Sequence, residues 1–262
     1  MIAGMENRIQ HSVEATPQYI DQVFHLLLDS IVLGELQPGQ RVRQGELADR
    51  LGVSRQPVSH ALQLLKQQGL VREAGKQGVE VAPIDLEYIV HLYRARTALE
   101  GMAVMLATSR VRGNEALAVQ TDELRSALEA GSEACGAANP TLPALVKADA
   151  RFHNALYRLS GNPVIEQMMS AQWPHLMRSM MATYLGEGDW PKRAWEEHGL
   201  IAQAVLAGNI DEAHDLITRH LQRAGSESHQ RLRAVLDSKQ VAQSVTGRQS
   251  LMIVAASAGG HE

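Results

Sequence analysis

Apolar residues recur at helical spacing along most of this chain. Val23, Leu26, Leu27 and Ile31 predict a first helix over 19–33, with Gly34 just past its end. Leu47, Ala48 and Leu51 predict a second, short helix that Gly52 closes as a C-cap residue. Val58, Leu62 and Leu65 predict a third, with Ser54 as its N-cap, Pro57 in its first turn and Gly69 at its end. Leu70 to Arg72 and Val79 to Val81 then read as two short strands around the turn AGKQG. Three helices and a hairpin in this order form a winged helix-turn-helix over 19–83. Beyond Pro83, Asp85 is a natural N-cap for a long helix to Arg110, and helical spacing continues over 114–133, 141–159, 163–185, 190–206 and 210–236. Every break between these segments contains glycine, and no strand-like alternation separates them. The expected fold is therefore mainly α, an N-terminal winged helix-turn-helix followed by an all-α six-helix bundle over 84–237.

Residues 1–18 show no steady period and are expected to form an N-terminal arm; residues 238–262, rich in Ser, Gln, Gly and Ala, are expected to be a disordered tail. The chain has 262 residues, enough for two cores. Its net charge of −4 looks wrong for a nucleic-acid binder, but from Arg41 to Gly78 seven cations face three anions, a local balance of +4. The single cysteine, Cys135, excludes an internal disulfide and fits a reducing compartment. The N-terminus lacks an apolar signal core, and the longest apolar runs are too short for a bilayer, so a cytoplasmic protein without a membrane partner is expected.

The third helix turns Arg55, Gln56, Ser59, His60, Gln63 and Lys66 outward. That face carries the hydrogen-bonding and cationic groups needed to read base edges in the major groove, with its first turn nearest the bases. The candidate DNA contacts are Arg43, Ser54, Arg55, Gln56, Pro57, Ser59, His60 and, from the wing, Lys76 and Gly78. The run PGQRVRQGELADRLGVSRQPVSHALQLLKQQGLV, followed by a glycine-bearing wing, resembles the N-terminal domain of the GntR family of bacterial transcription regulators. The resemblance implies that Arg55 contacts DNA and that the wing glycine approaches the minor groove. Position 59 is Ser where many members have arginine, so the operator sequence does not carry over.

Four polar residues interrupt apolar stripes in the bundle. Asp149 and His153 share a helix face beside Leu145, Phe152 and Leu156; His198 continues the row Ala194, Ile201, Val205; His220 continues Ile210, Ala213, Ile217, Ala224. Any one of these histidines reads most simply as a core imidazole bonded to a carbonyl. One carboxylate and three imidazoles aimed into the same interior are costly to bury, and a divalent cation such as zinc, nickel or manganese would satisfy them together. The same residues, with the run YRARTALE from Tyr93 to Glu100, resemble the all-helical ligand-binding domain of the FadR subfamily within GntR, and six helices resemble its VanR-type branch. That resemblance implies a metal on Asp149, His153, His198 and His220, with Arg96 gripping a carboxylate effector. The plain alternative for Arg96 is an ion pair with Glu100 one turn away. Arg178 is a second effector candidate, and the stretch from Gln167 to Tyr184 is a candidate cavity lining.

The function expected is a homodimeric, effector-responsive transcription regulator. It would repress a catabolic operon through a palindromic double-stranded operator and respond to a small carboxylate metabolite. Two rivals remain: a sensor for which the metal is the signal, and a metal-dependent enzyme. The second lacks an HExxH motif and an obvious general base.

Overall fold

The computed structural model of the chain describes residues 17–75, 78–184 and 190–258. The chain divides into two compact units, Met1–Pro83 and Ile84–Glu262. Apart from Pro17 and Gln18, with which α1 begins, the N-terminal arm lies outside the described residues.

In the first unit α1 (Pro17–Val32), α2 (Gln44–Leu51) and α3 (Arg55–Gln67) pack with a three-stranded sheet of β1 (Arg41–Val42), β2 (Val71–Glu73) and β3 (Val79–Val81). The strands lie in the order β1-β3-β2, both pairs antiparallel. β1, a two-residue strand, adds an edge that no alternation in the sequence announces. Val23, Leu27, Ile31, Leu47, Val58, Leu62, Leu65, Leu70 and Val81 form one core. Two glycines set the geometry of the helix-turn-helix. Gly52 takes a left-handed φ of 65° after α2, and Gly69 takes one of 72° after α3. At the latter, the Gly69 N–H donates to the Lys66 carbonyl and the Leu70 N–H to the Leu65 carbonyl, a Schellman arrangement that turns the chain into β2. Ser54 occupies the N-cap of α3 in an extended conformation, but its hydroxyl makes no capping bond.

The second unit contains seven helices among its described residues: α4 (Leu86–Arg112), α5 (Ala118–Gly136), α6 (Leu142–Ser160), α7 (Pro163–Ser170), α8 (Trp173–Thr183), α9 (Trp190–Leu206) and α10 (Ile210–Ala258). Asp85 caps α4 by accepting from the backbone N–H groups of Glu87 and Tyr88. The segment 163–185, expected to be one helix, is two. Pro174 has no N–H to offer the Ser170 carbonyl, so α7 stops at Ser170 and α8 restarts with proline in its first turn. The helix count therefore gives no support to the VanR-type branch. α5 begins later than expected because Asn114 adopts a left-handed φ of 55° and holds the chain out of helix. The segment from 238, expected to be disordered, carries helical backbone as far as Ala258. It contains no proline and is rich in Ala, Gln and Ser, which extend an existing helix at little cost.

Phe152, Leu156, Val104, Leu124, Trp195, Ile201, Ile217 and Leu221 unite α4, α5, α6, α9 and α10 in a shared core. α4 and α6 thus present one face each to α9 and α10, and the polar interruptions of those faces meet. No helix among the described residues is long and apolar enough to cross a membrane.

Candidate metal centre and nucleic-acid interface

His153 comes from α6, His198 from α9 and His220 from α10; all three are buried, and one nitrogen of each lies within 4.8 Å of the other two. His198 Nε2 is 3.3 Å from His220 Nε2. Asp149, one turn before His153, places Oδ1 3.6 Å from His198 Nε2 and 3.9 Å from His153 Nε2. Donor atoms about 2.0–2.1 Å from a tetrahedral cation lie about 3.3 Å apart, so the spacing suits a shared metal.

Proton bookkeeping sharpens the point. His153 Nδ1 is 2.7 Å from Glu100 Oε2, and His220 Nδ1 is 2.6 Å from Glu197 Oε2. Burial pushes Glu100 up, but the Arg96 guanidinium, His153 and the Tyr157 hydroxyl outweigh it and hold the carboxyl below the usual range. Burial likewise opposes ionisation of Glu197, and its bonds to His220 and Arg223 win. Both carboxylates are acceptors only, so each histidine donates its Nδ1–H to one of them and turns Nε2 inward. His153 Nε2 is buried with no hydrogen-bond partner. Burial, with the nearby cationic and imidazole groups, depresses His198 below the ordinary imidazole value. Burial also depresses His220, against the opposing bond from Glu197. Burial thus favours the neutral, cation-binding form of His198 and His220, and the carboxylates behind His153 and His220 orient those two rings as in carboxylate–histidine–metal triads. The His198 ring is held instead by stacking on Phe152, centroids 4.2 Å apart, and against the edge of Trp195.

Arg96 and Glu100 on α4 adjoin this cluster. Arg96 Nε bonds Glu100 Oε1 at 2.5 Å, and the guanidinium lies 4.8 Å over the Trp173 ring. Its Nη2 is buried without a partner, so the ion pair uses only part of its donor fork. Arg96, Asp149 and His220 line one cavity of about 30 Å³ together with Tyr93, Met180 and Tyr184. The remainder of the stretch expected to line a cavity is mostly core: Met169, Trp173 and Leu176 pack in an apolar cluster. Arg178 is buried on α8, where burial pulls it down to about 10, and it is not among the residues lining this cavity.

Sequence reasoning missed three members of the site. Glu197 was hidden by its half-exposed position, although it adjoins His198. Arg223, one turn after His220, bonds Glu197 through Nε at 2.7 Å and through Nη2. Tyr157, one turn after His153, donates its hydroxyl to Glu100. An i, i+3 or i, i+4 search from each clustered histidine finds the last two.

On the first unit, α3 presents Arg55, Gln56 and His60 exposed and Ser59 half-exposed, with Ser54 exposed at the N-cap. Pro57 is buried in the first turn, so it shapes the helix rather than offering a surface to a duplex. Arg43 is exposed and pairs with Glu46 at 3.2 Å. Lys66 pairs with Glu73 and Arg72 with Glu80, whereas Arg55 makes no ion pair among the described residues. In the wing, Gly78 has a φ of 132° and its carbonyl accepts from the Ala74 N–H; Lys76 lies outside the described residues.

Comparison with known proteins agrees with this two-part architecture. Residues 19–81 match the bacterial regulatory proteins of the gntR family, and residues 91–223 match the FCD domain. An HTH-type transcriptional regulator in an unstable DNA locus of Streptomyces ambofaciens is 32% identical, over 80% of this chain and 85% of that protein. The HTH-type transcriptional repressor GlaR of Escherichia coli is 27% identical, over 76% of this chain and 90% of its own. The E. coli McbR/YncC structure shares the fold, with a TM-score of 0.69 and 23% identity over 81% of this chain and 97% of that one. The chain belongs to the GntR family of bacterial regulatory proteins, a DNA-binding transcription regulator whose C-terminal unit carries an FCD domain.

Proposed function

We propose that the protein is a homodimeric repressor of a catabolic operon whose grip on a palindromic operator is set by a small carboxylate bound beside a divalent cation. The observation that carries this reading is the clustering of three buried imidazoles with Asp149, next to a small cavity that His220, Asp149 and Arg96 line, one Arg96 nitrogen being buried without a partner. Asp149, His153, His198 and His220 would hold the cation, with zinc the best match to an imidazole-rich set and nickel or manganese also compatible. Such an ion supplies a Lewis-acidic anchor for carboxylate oxygens. Arg96 supplies the complementary donor, since a guanidinium matches a carboxylate in its own plane. Arg178 is the weaker effector contact, because it is not among the residues lining this cavity. Arg43, Ser54, Arg55, Gln56, Ser59 and His60, with Lys76 and Gly78 from the wing, would meet the duplex.

A cavity of about 30 Å³ holds a water or an ion but not a metabolite, so effector binding requires the walls to part. A ligand that binds the parted form better shifts the population toward it, and operator affinity changes with that shift. The same small volume favours a second reading, in which the cation alone is the signal.

Fragmented genomic DNA retained by the purified protein at fixed salt, then sequenced, tests the operator claim. Enrichment of one palindrome supports it; no enrichment with or without divalent metal contradicts it. Retention repeated at buffered metal levels and with a panel of organic acids separates the readings. Release by an acid at constant metal favours the effector, and release by metal alone favours the sensor.

A further inference from the structure

We propose that the hollow outside Trp190, lined by Lys192, Arg193 and Arg231, is a second anion site that receives the far acid group of an effector carrying two. The inference rests on the effector reading above and adds the effector's class to it. Trp190, in the first turn of α9, is a wall common to two spaces. One is the cavity of about 30 Å³ that Arg96, Asp149 and His220 line; the other is an outer hollow of about 470 Å³. The inner space has room for an ion or a water, so the body of a ligand anchored there must extend beyond it. Past Trp190 that body meets three cations and one anion, Glu196.

The contacts that divide the two spaces are ones an anion loosens. Tyr184, on the inner side, stacks on Trp190 with ring centroids 4.1 Å apart, and both rings are buried. Arg231, on the outer side, lies 4.9 Å over the Tyr184 ring. Arg193, also outer, pairs with Glu227, which lines the inner cavity. An acid group in the outer hollow offers Arg231 a stronger partner than a ring face and competes with Glu227 for Arg193. Glu227 keeps its ion pair with Arg223 when Arg193 turns away. Lys192 is exposed and makes no ion pair among the described residues, so its charge is free for a ligand. An anion bound outside thus favours the form in which Tyr184 and Trp190 have parted, the form that the small inner cavity requires.

Calorimetric titration of the zinc-loaded full chain at one salt concentration tests this. The probes are the dicarboxylates from malonate to adipate and the monocarboxylates of equal chain length from propionate to hexanoate, with glucarate and gluconate as a hydroxylated pair. At least one diacid is expected to bind about 10-fold or more tightly than its monoacid counterpart, the scale of one charge-assisted contact. Lys192→Gln with Arg231→Gln is expected to erase that preference while zinc content and melting temperature are retained. Monoacids bound as tightly as diacids by the wild type overturn the second site and leave the effector reading standing. A preference that survives in the folded variant overturns the assignment to these residues. No binding by any of these acids overturns both readings in favour of the cation as the signal. If the double variant does not fold, Lys192→Gln alone decides: a preference reduced about threefold or more supports the site, and an unchanged one overturns it.

Discussion

Glu100 Oε2 lies 2.7 Å from His153 Nδ1, and the other oxygen of the same carboxylate is bonded by Arg96, so one buried side chain joins the histidine cluster to the free guanidinium nitrogen. Glu100→Gln keeps the shape but gives up the charge. The variant is expected to bind divalent metal 10- to 100-fold more weakly, on the order of what removing a carboxylate behind a ligand histidine costs. It should also lose about 3 kcal/mol of stability, because Arg96 is left buried without its counter-charge. Competition with a chromogenic chelator and thermal melts measure the two effects separately. Unchanged metal affinity would mean that Glu100 serves Arg96 alone.

Gly131 on α5 faces Trp195, where an added Cβ would lie 1.9 Å from the ring. Neither backbone nor indole can yield that far without repacking. Gly131→Ala is therefore expected to cost about 1–3 kcal/mol. Because Trp195 packs edge-on against His198, metal affinity should fall with stability. Chemical denaturation with and without metal checks both, and a variant as stable as the wild type would refute the packing.

Burial depresses His198 and His220 below the ordinary imidazole value of 6.5, so the folded state favours their neutral forms. The unfolded chain binds protons first as pH falls, and the linkage sign follows: stability is full above about pH 6.5 and declines below it. Melts in chelator at pH 7.5 and pH 5.5 should show a lower midpoint at the acid value. His198→Asn with His220→Asn should flatten that difference.

Arg55 stands exposed at the first turn of α3 with no ion pair among the described residues. Arg55→Ala is expected to weaken operator binding by about 10- to 100-fold, or 1–3 kcal/mol, with a much smaller loss on unrelated DNA. Anisotropy titrations on both duplexes at one salt concentration measure the ratio. Equal losses on both would make Arg55 a phosphate contact.

Much of this was legible because it is written locally. Gly52, Gly69 and Asp85 mark helix ends by backbone geometry and capping chemistry that belong to single residues, and the structure has each doing that work. The polar residues that interrupt apolar stripes were legible for a related reason, since a buried histidine must be answered by something. What was not legible depends on partners from distant helices. Glu197 and Arg223 meet only when α9 packs on α10, and a half-exposed glutamate carries no mark of that in its own neighbourhood. The break between α7 and α8 was marked by Pro174, but proline is tolerated in a first turn and so does not by itself say on which side the helix ends.

Metal content decides the central claim most directly. Wild-type protein and His198→Ala with His220→Ala, both loaded with zinc, dialysed free of excess and confirmed folded by circular dichroism, are assayed by elemental mass spectrometry. About one equivalent per wild-type chain, lost in the variant together with the response of operator binding to organic acids, is the expected result. Full occupancy in the folded variant, or none in the wild type, would contradict a metal held by these histidines.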